Sequence, residues 1–158
     1  MTDSRSRSRD FVRIRAEAAL IYLVPVSDAA PFPDWPSHAE VPPLVAPTVA
    51  GSGIAIATGV HMGPVLVAVA DQYDNGVAWE EHGSTCITIH EPLATDEDGK
   101  EPFVMFRPAH GGPHRVDVYA MSRDVNRDLA LKPTARKNLE RYLVVFTPVG
   151  QVMGGNGE

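Results

Sequence analysis

Two apolar runs at positions 51–71 constrain the fold more than any other stretch of the chain. They read GSGIAIATG and PVLVAVAD, separated by a short segment with glycine and proline at its borders. In the first run isoleucines alternate with alanines, and in the second valines alternate with leucine and alanine. Successive side chains of a strand point to opposite faces, so each run is a strand with one bulky face and one small face.

The two runs predict a central β-hairpin. A four-residue loop at 60–63 brings bulky residues opposite bulky ones and small residues opposite small ones, and a slip of one residue would mix the faces. The predicted pairs are Ile56 with Val67, Ile54 with Val69 and Ala55 with Ala68.

Alternating or apolar segments of similar length recur along the rest of the chain, and turn residues separate them. Helical periodicity is almost absent, and the 14 prolines favour loops and edge strands over helices. The pattern predicts an all-β fold, an antiparallel β-sandwich or flattened barrel of about seven to nine strands. The last of these segments, RYLVVFTPV at 141–149, is apolar enough on both faces to be a central strand.

At 158 residues the chain has the length of one domain. We expect a flexible Arg/Ser tail at 1–10, a single β-sandwich domain at 11–149 with a proline-rich loop at 25–47, and a flexible tail at 150–158. The segment 11–26 is strand-like, with a helix as the alternative where alanine and leucine are frequent.

A hairpin is also predicted around the acidic segment ATDEDGKE at 94–101. Its Asp-Gly pair is a turn signal, and it follows the alternating strand STCITIHE at 84–91 and precedes an apolar strand at 103–107. On the first of these strands Ile87 and Ile89 are expected to point inward.

The single cysteine, Cys86, excludes an intramolecular disulfide. His90 lies four residues along the same strand, roughly 13 Å away, too far for a nucleophile and base. Neither a glycine-rich nucleophile turn nor a phosphate-binding or metalloprotease motif occurs in the sequence. A base from elsewhere in the fold, such as His61 or His114, is the alternative partner for the cysteine. We expect Cys86 to be a small packing residue, and a non-catalytic protein is favoured over an enzyme.

Charge is unevenly distributed along the chain. The net charge is −6, yet positions 16–114 hold thirteen acidic residues against two basic ones. Such an acidic surface argues against nucleic acid as the main ligand and fits a basic protein partner or simple solubility. The apolar runs are too short or too interrupted to span a membrane, and no secretory signal is present, which predicts a cytoplasmic protein.

The predicted contact residues lie in two acidic loops, at 71–81 and 95–101, and in the loop of the central hairpin. They are His61, Met62, Asp74, Glu80, Glu81, Asp96, Glu97 and Asp98. A basic partner or a second copy of the chain, bound through a sheet face, are the two partner classes considered.

A second hypothesis is a small metal-dependent enzyme or ligand-binding barrel. His110 and His114 bracket a Gly-Gly-Pro turn and supply two ligands, but their spacing does not identify a third. Other histidines, His61, His82 or His90, would have to converge on them. No cofactor is predicted from the sequence.

The order of strands from GIAIATGVHMGPVLVAVAD through STCITIHEPL and HRVDVYAMS to ERYLVVFTP resembles small bacterial β-sandwich proteins of the competence protein J type, a nuclease-inhibitor group. The resemblance covers roughly residues 50–148 as a pattern of strands. It implies a protein that binds and blocks a partner, like an inhibitor or immunity protein, and it identifies no functional residue. An accessory or structural subunit of a larger assembly is the remaining alternative.

Overall fold

A computed structural model describes residues 11–28, 31–35, 43–60, 62–73, 76–95, 103–123 and 139–150. Its ten strands are β1 (Val12–Ala16), β2 (Leu20–Pro25), β3 (Val45–Pro47), β4 (Ile54–Ala57), β5 (Gly63–Ala70), β6 (Glu81–Ile89), β7 (Leu93–Thr95), β8 (Phe103–Phe106), β9 (Gly112–Met121) and β10 (Arg141–Pro148).

The strands form two five-stranded sheets. Sheet 1 has the order β1-β5-β10-β9-β6, and sheet 2 has the order β3-β4-β2-β7-β8. All pairings are antiparallel except that of β5 with β10, which is parallel. The predicted β-sandwich is thus confirmed, with ten strands in the described residues and one parallel pair. The last strand, β10, is central in sheet 1 as expected.

One hydrophobic core lies between the sheets, and both sheets contribute their bulky faces to it. The sheet 1 residues include Ile14, Val65, Val67, Val116, Val118, Tyr142 and Val144, and the sheet 2 residues include Ile21, Leu23, Ile54, Ile56 and Leu93. All of these side chains are almost completely buried. Burial on this scale supplies most of the stabilisation of such a fold, at about 25 cal/mol for each Å² of apolar surface.

The predicted hairpin at 51–71 is wrong, because its two strands belong to different sheets. Ile56 pairs with Ile21 and Val45 in sheet 2, whereas Val67 pairs with Val12 and Tyr142 in sheet 1. Alternating bulky and small residues fit two facing strands as well as two adjacent ones, so the pattern identified the core face correctly but not the neighbour.

The second predicted hairpin, around the acidic segment 94–101, is wrong in its first strand, because the antiparallel pair that flanks this segment is β7 with β8 and not the predicted strand at 84–91 with β8. Strand β6 lies in sheet 1, and β8 pairs instead with the short β7 of sheet 2. Two residues assigned to the turn, Ala94 and Thr95, are buried strand residues of β7. The Asp-Gly turn itself lies outside the described residues. Ile87 and Ile89 do point inward, as predicted, but Cys86 is exposed and does not pack in the core.

A tight reversal passes the chain from β1 in sheet 1 to β2 in sheet 2. Ala18 and Ala19 both have positive φ, 53° and 61°, and the amide and carbonyl of Glu17 pair with those of Leu20. Two positive φ angles in a row mark a type I′ turn, in which asparagine and glycine are the favoured residues. The helix considered for part of 11–26 is absent from the described residues.

The predicted proline-rich loop at 25–47 contains strand β3 at its end, and Pro33 bridges to Thr48. The two predicted tails, at 1–10 and 150–158, lie outside the described residues except for Gly150. Within the described ranges there is no helix of the length and hydropathy that a membrane span requires.

Candidate functional site

The outer face of sheet 1, the face turned away from the core, carries a cluster of aromatic and charged side chains. Strand alternation places Tyr119 of β9 and His82 of β6 there as a cross-strand pair. Their rings stack with centroids 4.5 Å apart and 9° between planes. Tyr73, from the segment between β5 and β6, approaches Tyr119 at 4.5 Å, and Trp79 lies 6.4 Å away.

Polar contacts with the Asp117 carboxylate extend this arrangement along β9. His82 Nε2 lies 2.9 Å from Asp117 Oδ1, and Arg115 Nε lies 3.2 Å from Asp117 Oδ2. The His82 and Arg115 side chains are 45% and 55% exposed, while that of Asp117 is only 13% exposed. The carboxylate therefore orients two solvent-facing cationic or polar groups. We call this set the aromatic–ionic cluster; its members are Tyr73, Trp79, His82, Arg115, Asp117 and Tyr119.

Two polar groups of the cluster are held in an environment that differs from water. Burial, together with the negative charge of Asp117, raises the pKa of Tyr119 above its usual value, so its hydroxyl stays neutral and able to donate a hydrogen bond. The indole Nε1 of Trp79 is buried and has no acceptor among the described residues. A buried donor without an acceptor lowers the stability of the folded state by about 1–3 kcal/mol.

A second polar cluster lies at one end of the sandwich and is buried. Glu140 is 0% exposed, and its carboxylate accepts hydrogen bonds from the amides of Gly59 and Val60 at 2.8 and 2.7 Å. The hydroxyl of Tyr142 donates a third, at 2.5 Å. The bonds join the crossing between β4 and β5 to the start of β10, 80 and 81 residues later.

Arg123 completes this cluster from the segment after β9. Its Nε donates to the carbonyl of Ala57 at 2.8 Å, and Nη1 donates to Glu81 Oε1 at 2.6 Å. We call the whole set the Glu140 network; its members are Gly59, Val60, Glu81, Arg123, Glu140 and Tyr142. A Cβ on Gly59 would lie 2.1 Å from the Arg123 carbonyl oxygen, so only glycine fits this approach.

The Glu140 network is a structural device. Burial and the adjacent Glu140 carboxylate raise the pKa of Tyr142 far above its usual value, so the phenol remains a donor. In this network every carboxylate and guanidinium has a hydrogen-bonded partner. Such saturation stabilises one arrangement and leaves little capacity to bind or transfer a proton.

Three of the eight predicted contact residues, Met62, Glu80 and Glu81, lie within the described residues. Met62 is exposed. Glu80 accepts the amide of Ser122 at 2.8 Å, and Glu81 pairs with Arg123. Both acids thus hold the segment after β9. The remaining candidates lie outside the described residues; they are His61, Asp74, Asp96, Glu97 and Asp98.

The two predicted metal ligands occupy different environments. His114 is buried on the core side of β9, with Nδ1 2.9 Å from the Gly112 carbonyl oxygen and its ring edge-on to Phe106. His110 is exposed in the loop before β9. Within the described ranges no three His, Cys, Asp or Glu side chains are grouped to hold a metal ion. The metal hypothesis gains no ligand set from these residues.

In the sequence, Arg115, Asp117 and Tyr119 alternate with apolar residues, which indicates a common face of one strand but does not mark them as functional. Their signal was the alternation of β9, read together with the matching alternation of β6. The Glu140 network was missed altogether, since its members come from distant positions. Comparison of the chain with family models, with curated proteins and with solved structures finds no match.

Proposed function

We propose that this protein is a non-catalytic protein-binding module whose contact surface is the outer face of sheet 1. One observation carries the proposal: the aromatic–ionic cluster presents stacked tyrosine and histidine rings and an oriented arginine to solvent. Tyrosine, tryptophan and arginine are the residues enriched at protein interfaces and at their energetic hot spots.

Rigidity supports the same proposal. The cluster is built on the paired strands β6 and β9, and the ring stack and ion pairs fix its side chains before any partner arrives. A preorganised surface loses less side-chain entropy on binding, about 0.5–1.5 kcal/mol for each side chain that is already ordered.

The non-catalytic part of the proposal rests on the contrast with the Glu140 network. That network contains the strongly perturbed tyrosine, yet it is buried and internally paired. The exposed cluster, in turn, contains no activated nucleophile. We include in the proposal an inhibitor-like, immunity-like or accessory role. The resemblance to the competence protein J type, which implies a protein that binds and blocks a partner, agrees with such a role. The acidic-loop contact with a basic partner stays a prediction.

The single cysteine of the chain allows a site-specific crosslinking test of this proposal. Cys86 is the single cysteine, is exposed, and lies on the outer face opposite Arg115 of β9. Benzophenone maleimide attached there should crosslink the partner in lysate of the native host. Substituting Tyr73 and His82 together by alanine should reduce the yield of that adduct about tenfold, since hot-spot truncations cost at least about 1.4 kcal/mol.

The matched control moves the same label to sheet 2. A Cys86→Ser/Phe103→Cys variant carries it on the edge strand β8, where Phe103 is 55% exposed. Mass spectrometry should identify an adduct that is specific to the Cys86 position. Identical adducts from both positions, or an adduct insensitive to the Tyr73 and His82 substitutions, would contradict the proposal.

A further inference from the structure

Two exposed arginines flank a leucine on the outer face of sheet 1. In the strand register, Leu66 of β5 is opposite Arg13 of β1 on one side and Arg141 of β10 on the other. Neighbouring strands are about 4.8 Å apart, so the two arginine Cα atoms are about 10 Å apart. Alternation puts both side chains on the face opposite the core, and both residues are exposed.

Neither arginine forms an ion pair with the residues that the structure describes, in contrast to two other arginines of the chain. Arg115 pairs with Asp117, and Arg123 pairs with Glu81. The cross-strand neighbours of Arg141 are Leu66 and Met121, both apolar. Two arginines thus flank one residue on the outer face, with no carboxylate partner in the part of the chain that the structure describes, although the net charge of the chain is −6.

Apolar surface accompanies this charge. The Arg141 guanidinium lies over the ring of Phe11, 5.8 Å from its centroid. Phe11 in turn packs against the buried outer-face residues Ala68, Leu143 and Val145. We call the set Phe11, Arg13, Leu66 and Arg141 the arginine patch. Its combination of cations with aromatic and aliphatic groups suits a polypeptide better than a bare phosphate chain.

We propose that the arginine patch binds an acidic segment of the protein partner. In an extended segment, side chains on one face recur about every 6.8 Å, a spacing that two flexible arginines about 10 Å apart at Cα can meet. Two carboxylates at positions i and i+2 therefore match the pair. A long nucleic acid is disfavoured, because beyond this small patch its phosphates would lie against a protein whose net charge, −6, is also negative. This inference rests on the proposed function.

The test uses three probes of known charge on the full-length protein. They are a fluorescent octapeptide of alternating glutamate and threonine, its lysine–threonine counterpart, and an oligothymidylate with the same charge as the acidic peptide. Fluorescence anisotropy at low ionic strength should show binding of the acidic peptide only. Arg13→Glu/Arg141→Glu should weaken it about tenfold, and salt at about 0.15 M should weaken it in the unmodified protein, because screening then acts over about 8 Å.

A matched control separates the patch from net charge. Arg107 is an exposed arginine after β8, in sheet 2. Arg107→Glu should change the affinity less than twofold. The single reversal Arg13→Glu changes the net charge by the same amount as Arg107→Glu and should weaken binding more. Equal losses with these two single variants would overturn the inference, and so would tighter binding of the oligothymidylate or no binding of the acidic peptide. Arg13→Gln/Arg141→Gln serves if the double reversal fails to fold.

The Cys86 crosslink distinguishes this inference from the proposed function. Where the adduct forms with the unmodified protein and persists in the Arg13 and Arg141 variants, the acidic-segment inference fails and the binding face stands. Where Cys86 yields no specific adduct at all, the proposed function itself fails.

Discussion

The Glu140 network and the aromatic–ionic cluster use the same chemical groups in opposite settings. Each combines an arginine, a carboxylate and a tyrosine. Glu140 and Tyr142 are 0% exposed, whereas His82 and Arg115 are about half exposed. Burial makes each contact of the first set expensive to lose, because unpaired groups remain without water. Exposure makes each contact of the second set contribute little to stability, because water replaces a lost partner, and it leaves the ordered side chains accessible to a partner protein.

The largest difference is expected for Glu140→Ala. The substitution removes the acceptor of two buried amides and one buried phenol. We expect a loss of about 4 kcal/mol in the free energy of unfolding, measured by urea titration. Glu91→Ala removes an exposed carboxylate that accepts a hydrogen bond from the Ser27 hydroxyl, and should cost less than about 1 kcal/mol. Equal losses of unfolding free energy in Glu140→Ala and Glu91→Ala would contradict the expected difference between buried and exposed carboxylates.

Gly59→Ala should rank second, at about 3 kcal/mol. Its added methyl group meets a backbone oxygen, that of Arg123, which cannot move without breaking the network. The control is Gly111→Ala, whose new Cβ would lie closest to the exposed His90 side chain, at 2.9 Å, and 3.4 Å from the nearest backbone atom, the Ile89 carbonyl oxygen. Thermal unfolding of the two variants should separate by several degrees. If Gly59→Ala is neutral, the close approach between these segments is not essential.

Tyr142→Phe should cost about 2 kcal/mol near neutral pH, because the hydrogen bond it removes goes to a charged group. The pKa of Tyr142 is raised in the folded protein, so its stabilising effect is complete below pH 10 and is lost as the pH rises further, when the unfolded chain alone ionises. Between pH 8 and 11 the stability difference between the two proteins should therefore narrow, by up to about 1.4 kcal/mol per unit above pH 10. A constant difference would argue against a buried phenol.

The smallest effects on stability are expected in the aromatic–ionic cluster. His82→Ala and Arg115→Ala each remove an exposed member of the Asp117 ion pairs and should change the free energy of unfolding by less than about 1 kcal/mol. Under the proposed function these variants should lose the Cys86 crosslink while remaining folded. A loss of stability comparable to that of Tyr142→Phe would show that the cluster is structural too.

Local alternation was sufficient to predict which side of a strand faces the core. Ile54, Ile56 and Val67 are core residues, and Val69 is partly buried against the core, as expected from their pattern. Pairing was not predictable in the same way, because a strand pattern records burial and not the identity of the neighbour. This is why β4 and β5 looked like a hairpin although they lie in facing sheets.

The two polar clusters differ in how far they could be predicted from the sequence. Arg115, Asp117 and Tyr119 alternate within one strand, so the sequence indicated their common face. Glu140 and Gly59 are 81 residues apart, and each looks ordinary in its own context. A buried carboxylate is satisfied only by the tertiary fold that brings its donors, and no local periodicity reports such a meeting.

The central position of β10 has a consequence for the order in which the molecule forms. This strand fills the space between β5 and β9, and its parallel partner ends about 70 residues earlier in the chain. During synthesis β1 and β5 can pair early, but sheet 1 cannot be completed until residues up to 148 have left the ribosome. Contacts of such sequence separation slow folding, and they leave the edge of β5 open to wrong strands for as long as β10 is delayed.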